Sequence, residues 1–106
     1  MDPEFERRAE AELQRLMGAI DAALGDSLDV DYQNGILTLE LEDGRQYVIN
    51  RHGPNREIWL SSPQSGAWHF AYDAPANVWR STRGAGALSE ILNRELAAIT
   101  GTDPGL

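Results

Sequence analysis

Two groups of residues in this chain have chemistry available to them: a set of carboxylates, and two histidines spaced around a tryptophan. Glu6, Glu10, Asp21, Asp26, Asp29 and Asp31 all fall early in the chain. Carboxylate oxygens are the ligands that hard cations take. Glu6 and Glu10 are one helical turn apart and are expected to point outward, so a cation could bridge them. Equally, two wet carboxylates at that spacing simply repel and are tolerated. The alternative to a cation site is therefore a solvated acidic face. The second group is His52, Trp59 and His69. From Arg56 to Ser61 the residues alternate, with Ile58 and Leu60 on one face and Glu57, Trp59 and Ser61 on the other. A large aromatic then lies on the solvent side of a sheet, where it is costly unless a partner covers it. The alternative is a tryptophan capped by a neighbouring side chain or loop. The histidines, with Glu40, would also suit an acid–base pair or a metal site. Against that, a flat sheet face has no cleft to exclude water, and no nucleophile sits in a recognisable turn.

The elements that must position these residues read as follows. Apolar residues recur at Phe5, Ala9, Leu13, Leu16, Met17, Ile20 and Leu24, which predicts a helix from about Pro3 to Leu24. Asp2 suits its cap, Pro3 its first turn and Gly25 its end. A first strand follows within Asp26 to Tyr32, with Val30 and Tyr32 opposite Asp29 and Asp31. Asn34-Gly35 marks a hairpin. Leu37, Leu39 and Leu41 give the buried face of a second strand, and Asp43-Gly44 turns into a third over Gln46 to Asn50. There Tyr47 and Ile49 point inward, while Val48, Asn50 and His52 lie outward beside Trp59. Ser-Pro-Gln-Ser-Gly, Ser62 to Gly66, supplies the next turn, and pairing resumes at Trp68-His69-Phe70. Trp68, Phe70, Tyr72 and Trp79 read as core or core edge and not as a ligand box. Val78-Trp79-Arg80 is a short last strand. A second helix starts at about Gly86 or Ala87 and runs to Thr100, burying Leu88, Ile91, Leu92, Leu96 and Ile99. Gly84-Ala85-Gly86 before it lacks the spacing and the lysine of a phosphate loop and reads as a helix entry. The expected fold is α+β: a two-layer α–β sandwich with both terminal helices on one face of an antiparallel sheet of five to six strands. The other face is left wet. The whole chain, 1–106, reads as one domain, with 1–3 and 102–106 expected to be flexible.

Composition narrows the function. Seventeen acidic residues against nine arginines give a formal charge of −8, which disfavours nucleic acid and favours cations or a basic protein partner. With no cysteine, disulfides, thiolate metal ligation and a cysteine nucleophile are excluded. No apolar run reaches membrane-spanning length. No signal peptide or basic presequence opens the chain, so a bacterial cytoplasm is expected, or a mitochondrial matrix for a processed chain.

Asn50-Arg51, Pro54-Asn55-Arg56, Ile58-Trp59-Leu60-Ser61-Ser62-Pro63 and Ser65-Gly66 resemble the signature of the frataxin family, whose bacterial branch is called CyaY. Asn34 to Leu39, Tyr47 to Asn50, Trp79 and Leu88 to Leu92 extend the resemblance over nearly the whole chain. It implies an α–β sandwich and an iron-binding accessory role in iron–sulfur cluster assembly. It also implies an acidic ridge binding iron weakly through Glu6, Glu10, Asp21, Asp26, Asp29 and Asp31. Trp59 and Asn50 match the positions that contact the cysteine desulfurase–scaffold complex in the family, with His52, His69 and Val48 beside them. The chain departs from richer members at Ala11, Gln14, Gly18 and Ala22, where a longer ridge would carry acids, so weaker binding concentrated at Asp26, Asp29 and Asp31 is expected. His69 stands where mitochondrial members usually have arginine and His52 where glutamine is common, which changes any arginine-specific contact. The resemblance implies a monomer, with iron-dependent oligomers as an alternative. No catalytic residue is assigned. Iron oxidation and storage, or an iron-independent interaction module, are the alternative functions.

Overall fold

A computed structural model of the protein describes residues 2–84 and 86–106; Ala85 of the expected helix-entry loop, like Met1, lies outside the described residues. The order is α1 (Pro3–Leu24), β1 (Leu28–Gln33), β2 (Ile36–Leu41), β3 (Gln46–His52), β4 (Glu57–Ser62), β5 (Gly66–Asp73), β6 (Val78–Ser81) and α2 (Leu88–Thr100). The six strands form one antiparallel meander in chain order, each turning back on its predecessor.

The apolar stripe of α1, from Phe5 through Leu13 and Leu16 to Leu24, is buried, with Met17 partly so, against the inward residues of β1, β2 and β3. Leu37, Leu39, Tyr47, Ile49, Ile58 and Leu60 of β2 to β4 point inward, the parity that the alternation predicts. α2 contributes Leu88, Ile91, Leu92 and Leu96 to the same core. Both helices thus cover one sheet face and leave the other without a helix.

Local chemistry sets the boundaries. Asp2 Oδ1 accepts the backbone N–H groups of Glu4 at 3.1 Å and Phe5 at 3.2 Å, capping α1. Gly25 ends that helix for a different reason than a left-handed turn. Its φ is −59°, and an added Cβ would stand 2.5 Å from the Asp21 carbonyl oxygen, so close approach is what requires glycine. Ala87 has no side-chain acceptor at the start of α2; instead the Glu90 carboxylate accepts its N–H at 2.9 Å. β3 extends two residues beyond the expected Asn50, to His52, and β5 reaches from Gly66 to Asp73. Arg56, expected within a strand, is in a turn: its φ is 53° and its N–H reaches the Gly53 carbonyl. Several described residues of the two terminal segments make specific contacts. Asp2 is the cap just described, Pro104 is buried, and the Leu106 N–H donates to Asn93 Oδ1 at 2.7 Å.

Candidate functional site

The helix-free face is built in cross-strand rows. One row runs Ile36, Asn50, Trp59, His69 across β2 to β5; the next runs Asp31, Thr38, Val48, Ser61, Ala67 from β1 to β5. The structure therefore brings Asn50, Trp59, His69 and Val48 onto one surface, with His52 opposite Glu57 one row further on. Trp59 is not a free aromatic projecting into water. Its ring is sandwiched, with the His52 ring 3.7 Å away centroid to centroid and the His69 ring 4.3 Å away, nearly parallel on both sides. Its indole N–H donates to Glu57 Oε1 at 2.8 Å, and His69 Nδ1 lies 3.6 Å from the same oxygen. His52 Nδ1 is buried with no hydrogen-bond partner. Histidine capping of the tryptophan is thus built into the sheet, and Trp59 is half-buried. The π-stacking fixes all three rings in one orientation.

The carboxylates divide into two populations. Glu6 and Glu10 are half-buried and turn toward β3, where Arg51 Nε lies 3.3 Å from Glu6 and Arg51 Nη1 lies 3.0 Å from Glu10. The cation that bridges them is an arginine of the chain itself. Glu10 also accepts the Tyr32 hydroxyl at 2.5 Å and the Gln14 amide at 2.8 Å. The Tyr32 bond, then the Gln14 bond, with Arg51 adding its charge, hold the Glu10 carboxyl below the ordinary range. Burial, then the bond to Glu10, pushes the Tyr32 hydroxyl up to about 12. Arg51 lies over the Asn34-Gly35 turn so closely that a Cβ on Gly35, whose φ is +78°, would meet its Nε at 2.9 Å.

Asp29 and Asp31 point the other way, onto the helix-free face, and both are exposed. Asp29 is directly opposite Glu40 across the β1–β2 ladder. With Asp26 and Glu42 these two border a shallow depression beside Gly25, at the C-terminal end of α1. Asp21 is exposed on the last turn of α1. Among the described residues no three histidines, aspartates or glutamates converge closely enough to hold a metal ion. The six acids thus do not converge: Glu6 and Glu10 are held on the helix side, Asp26, Asp29 and Asp31 lie toward the β1 edge, and Asp21 stands apart on α1.

A further carboxylate escaped the sequence reading. Glu95 of α2 is buried and accepts three hydroxyls, from Tyr47 at 2.8 Å, Ser62 at 2.6 Å and Ser65 at 2.6 Å. Ser62 Oγ in turn accepts the N–H groups of Gln64 and Ser65, so this network holds the β4–β5 turn. Burial first, and then the bond to Glu95, raises the Tyr47 hydroxyl well above its ordinary range. The available signal was position: 95 falls on the apolar stripe between Leu92 and Leu96–Ile99, where a charge needs partners.

This geometry has relatives. The profile of the Frataxin-like domain matches residues 1–102. An iron-sulfur cluster assembly protein CyaY from Thioalkalivibrio sulfidiphilus is 40% identical over 102 residues, covering 94% of each chain. Mitochondrial frataxin from Arabidopsis thaliana is 38% identical over 104 residues, covering 94% of this chain; the chain spans only 56% of that relative. Among solved structures, trimeric frataxin from the yeast Saccharomyces cerevisiae, complexed with ferrous iron, superimposes with a TM-score of 0.76 at 33% identity, covering 90% of this chain and 87% of that one. A sandwich of two helices on a six-stranded meander, matched by profile over almost its full length, makes this chain a member of the frataxin family.

Proposed function

We propose that this protein serves iron–sulfur cluster assembly as an accessory protein that docks on the cysteine desulfurase–scaffold complex and carries iron weakly on carboxylates. The observation that carries this reading is the helix-free sheet face. It presents the His52–Trp59–His69 stack and the exposed acids Asp29, Asp31 and Glu40 on one surface. A rigid aromatic row beside a negative edge suits a partner with a basic surface, which the charge of −8 would steer toward it. The role in assembly is the one named for the Thioalkalivibrio relative.

Iron is cargo in this reading. Hard cations take carboxylate oxygen, and the chain has no thiolate to offer. Asp26, Asp29 and Asp31 with Glu40 are the exposed oxygens best suited to hold it, Asp21 lying nearby on α1. At Glu6 and Glu10 an incoming ion would have to displace the Arg51 guanidinium. A site made of exposed, separately anchored carboxylates binds loosely and releases readily, as delivery demands.

The test is sulfide production by the cognate desulfurase with its scaffold and iron, with and without this protein. The wild type should change the rate, and folded Trp59→Ala should not. No effect of the wild type on the complex would overturn the reading. A second reading, iron oxidation or storage in an assembly, is favoured by the trimeric, ferrous-complexed yeast relative. It requires oxygen consumption on addition of Fe(II) together with iron-dependent growth in particle size.

A further inference from the structure

The apolar anchor of the docking face should be the side chain that a partner can still cover. Trp59 offers a partner only its ring edge and the stacked platform it builds: both faces of its ring are occupied by imidazoles and its N–H is bonded to Glu57. Ile36 is different. It is the large hydrophobic residue that stands exposed among the described residues, with 44% of its surface accessible. It lies in the same cross-strand row as Trp59, separated from it only by Asn50.

The position of Ile36 is also firmly held. It is the first residue of β2, paired with Gln33 across the Asn34-Gly35 turn, whose two residues both adopt positive φ. The Arg51 guanidinium lies over that turn and is ion-paired to Glu6 and Glu10 of α1. The hairpin tip is thereby fixed to the helix layer, and an anchor held rigid loses little entropy on binding. Two residues along β2, about 6.6 Å away, Thr38 faces Asp31; two further on, Glu40 faces Asp29.

We infer that Ile36, rather than Trp59, is the apolar anchor of the docking face, with Trp59 as a stacked platform that sets the surface beside it. Its occupant is a protein surface with an aliphatic-lined recess bordered by arginine or lysine. The apolar side chain selects the recess, and Asp29, Asp31 and Glu40 select the basic border. This rests on the docking reading above.

The measurement is the affinity of the full chain for the cognate desulfurase–scaffold complex, immobilised and titrated at low and at moderate salt. Ile36→Ala should raise Kd roughly tenfold, and Ile36→Leu should restore most of the affinity. Trp59→Phe, which keeps a ring between the two imidazoles, should stay within about twofold of the wild type, since only a shift of 1.4 kcal/mol makes a factor of ten. Asp29→Asn with Glu40→Gln should slow association at low salt and matter less as salt rises. Because the Ile36 side chain is exposed, thermal melting of Ile36→Ala should match the wild type. A wild type that fails to bind overturns the docking reading and this inference with it. Wild-type binding with an unchanged Kd in Ile36→Ala, or a tenfold loss in Trp59→Phe, overturns this inference alone.

Discussion

The two faces of the sheet carry carboxylates in opposite circumstances. On the helix side three are held by the protein while Asp21 stays exposed: Glu6 and Glu10 share Arg51, Glu10 also takes Tyr32, and Glu95 takes three hydroxyls. On the helix-free side Glu57 is held by the Trp59 N–H, but Asp29 and Glu40 face each other directly across a ladder, and Asp31 accepts a long bond from Gln33. The net charge is one number, but the negative field that a cation or a basic partner meets comes mainly from the second population. A carboxylate already holding a guanidinium has had its attraction spent inside the molecule.

The largest effect that would sharpen this contrast comes from Glu95. Replacing it with alanine leaves the hydroxyl of Tyr47, which is fully buried, and those of Ser62 and Ser65 without their acceptor. Urea denaturation should show a loss of about 2 kcal/mol, roughly 1 kcal/mol for each of the two buried hydroxyls, Tyr47 and Ser62, since the exposed Ser65 can turn to water. A loss below about 1 kcal/mol would mean that the network is incidental. Next comes Arg51→Ala. Its partners are part-exposed, so solvent screening limits the stability loss to about 1–2 kcal/mol. The same substitution frees two adjacent carboxylates, and titration with Mn(II) as a stable divalent probe should reveal a site at Glu6–Glu10 that the wild type lacks. If Arg51→Ala binds no more cation than the wild type, the helix-side acids were never being held back by the arginine.

Much of this architecture was legible because period and parity are short-range properties. The α1 stripe, the inward leucines of β2 and the outward position of Trp59 all follow from spacing alone. Arg51 shares the parity of Tyr47 and Ile49 but lies past the expected strand end at Asn50, and its partners one helix away are a tertiary matter. The same limit explains the stack. Alternation places His52, Trp59 and His69 on one face, but whether imidazoles cap an indole depends on register across three strands, which no local pattern carries. The capped tryptophan was an alternative in the sequence, and only pairing decides it. Glu95 shows the reverse case: its site in an apolar stripe was visible, yet its three donors come from β3, β4 and the following turn.

A smaller effect appears with alkali. The Tyr32 hydroxyl titrates at about 12 in the folded chain, against about 10 in an unfolded one. A raised folded value means that its contribution is complete below pH 10 and is lost as pH rises from 10 through 12. Tyr47, raised in the same sense, adds to that loss. Denaturation midpoints should therefore fall over this interval, and Tyr32→Phe should reduce the slope without removing it. An identical slope in the variant would mean that the Tyr32–Glu10 bond contributes nothing to folding.

The smallest expected effect on stability bears most directly on function. Asp29 and Glu40 stand directly opposite each other, and like charges so placed destabilise a ladder by a few tenths of a kcal/mol, up to about 1 kcal/mol. Asp29→Asn should thus leave the fold unchanged or slightly more stable, the opposite sign to Glu95→Ala. Cation affinity at the β1–β2 edge should fall in the same variant. A carboxylate whose removal stabilises the molecule while weakening cation binding is one whose charge the fold does not use. If Asn at this position instead destabilised the protein as Ala does at Glu95, the division between held and free carboxylates would collapse.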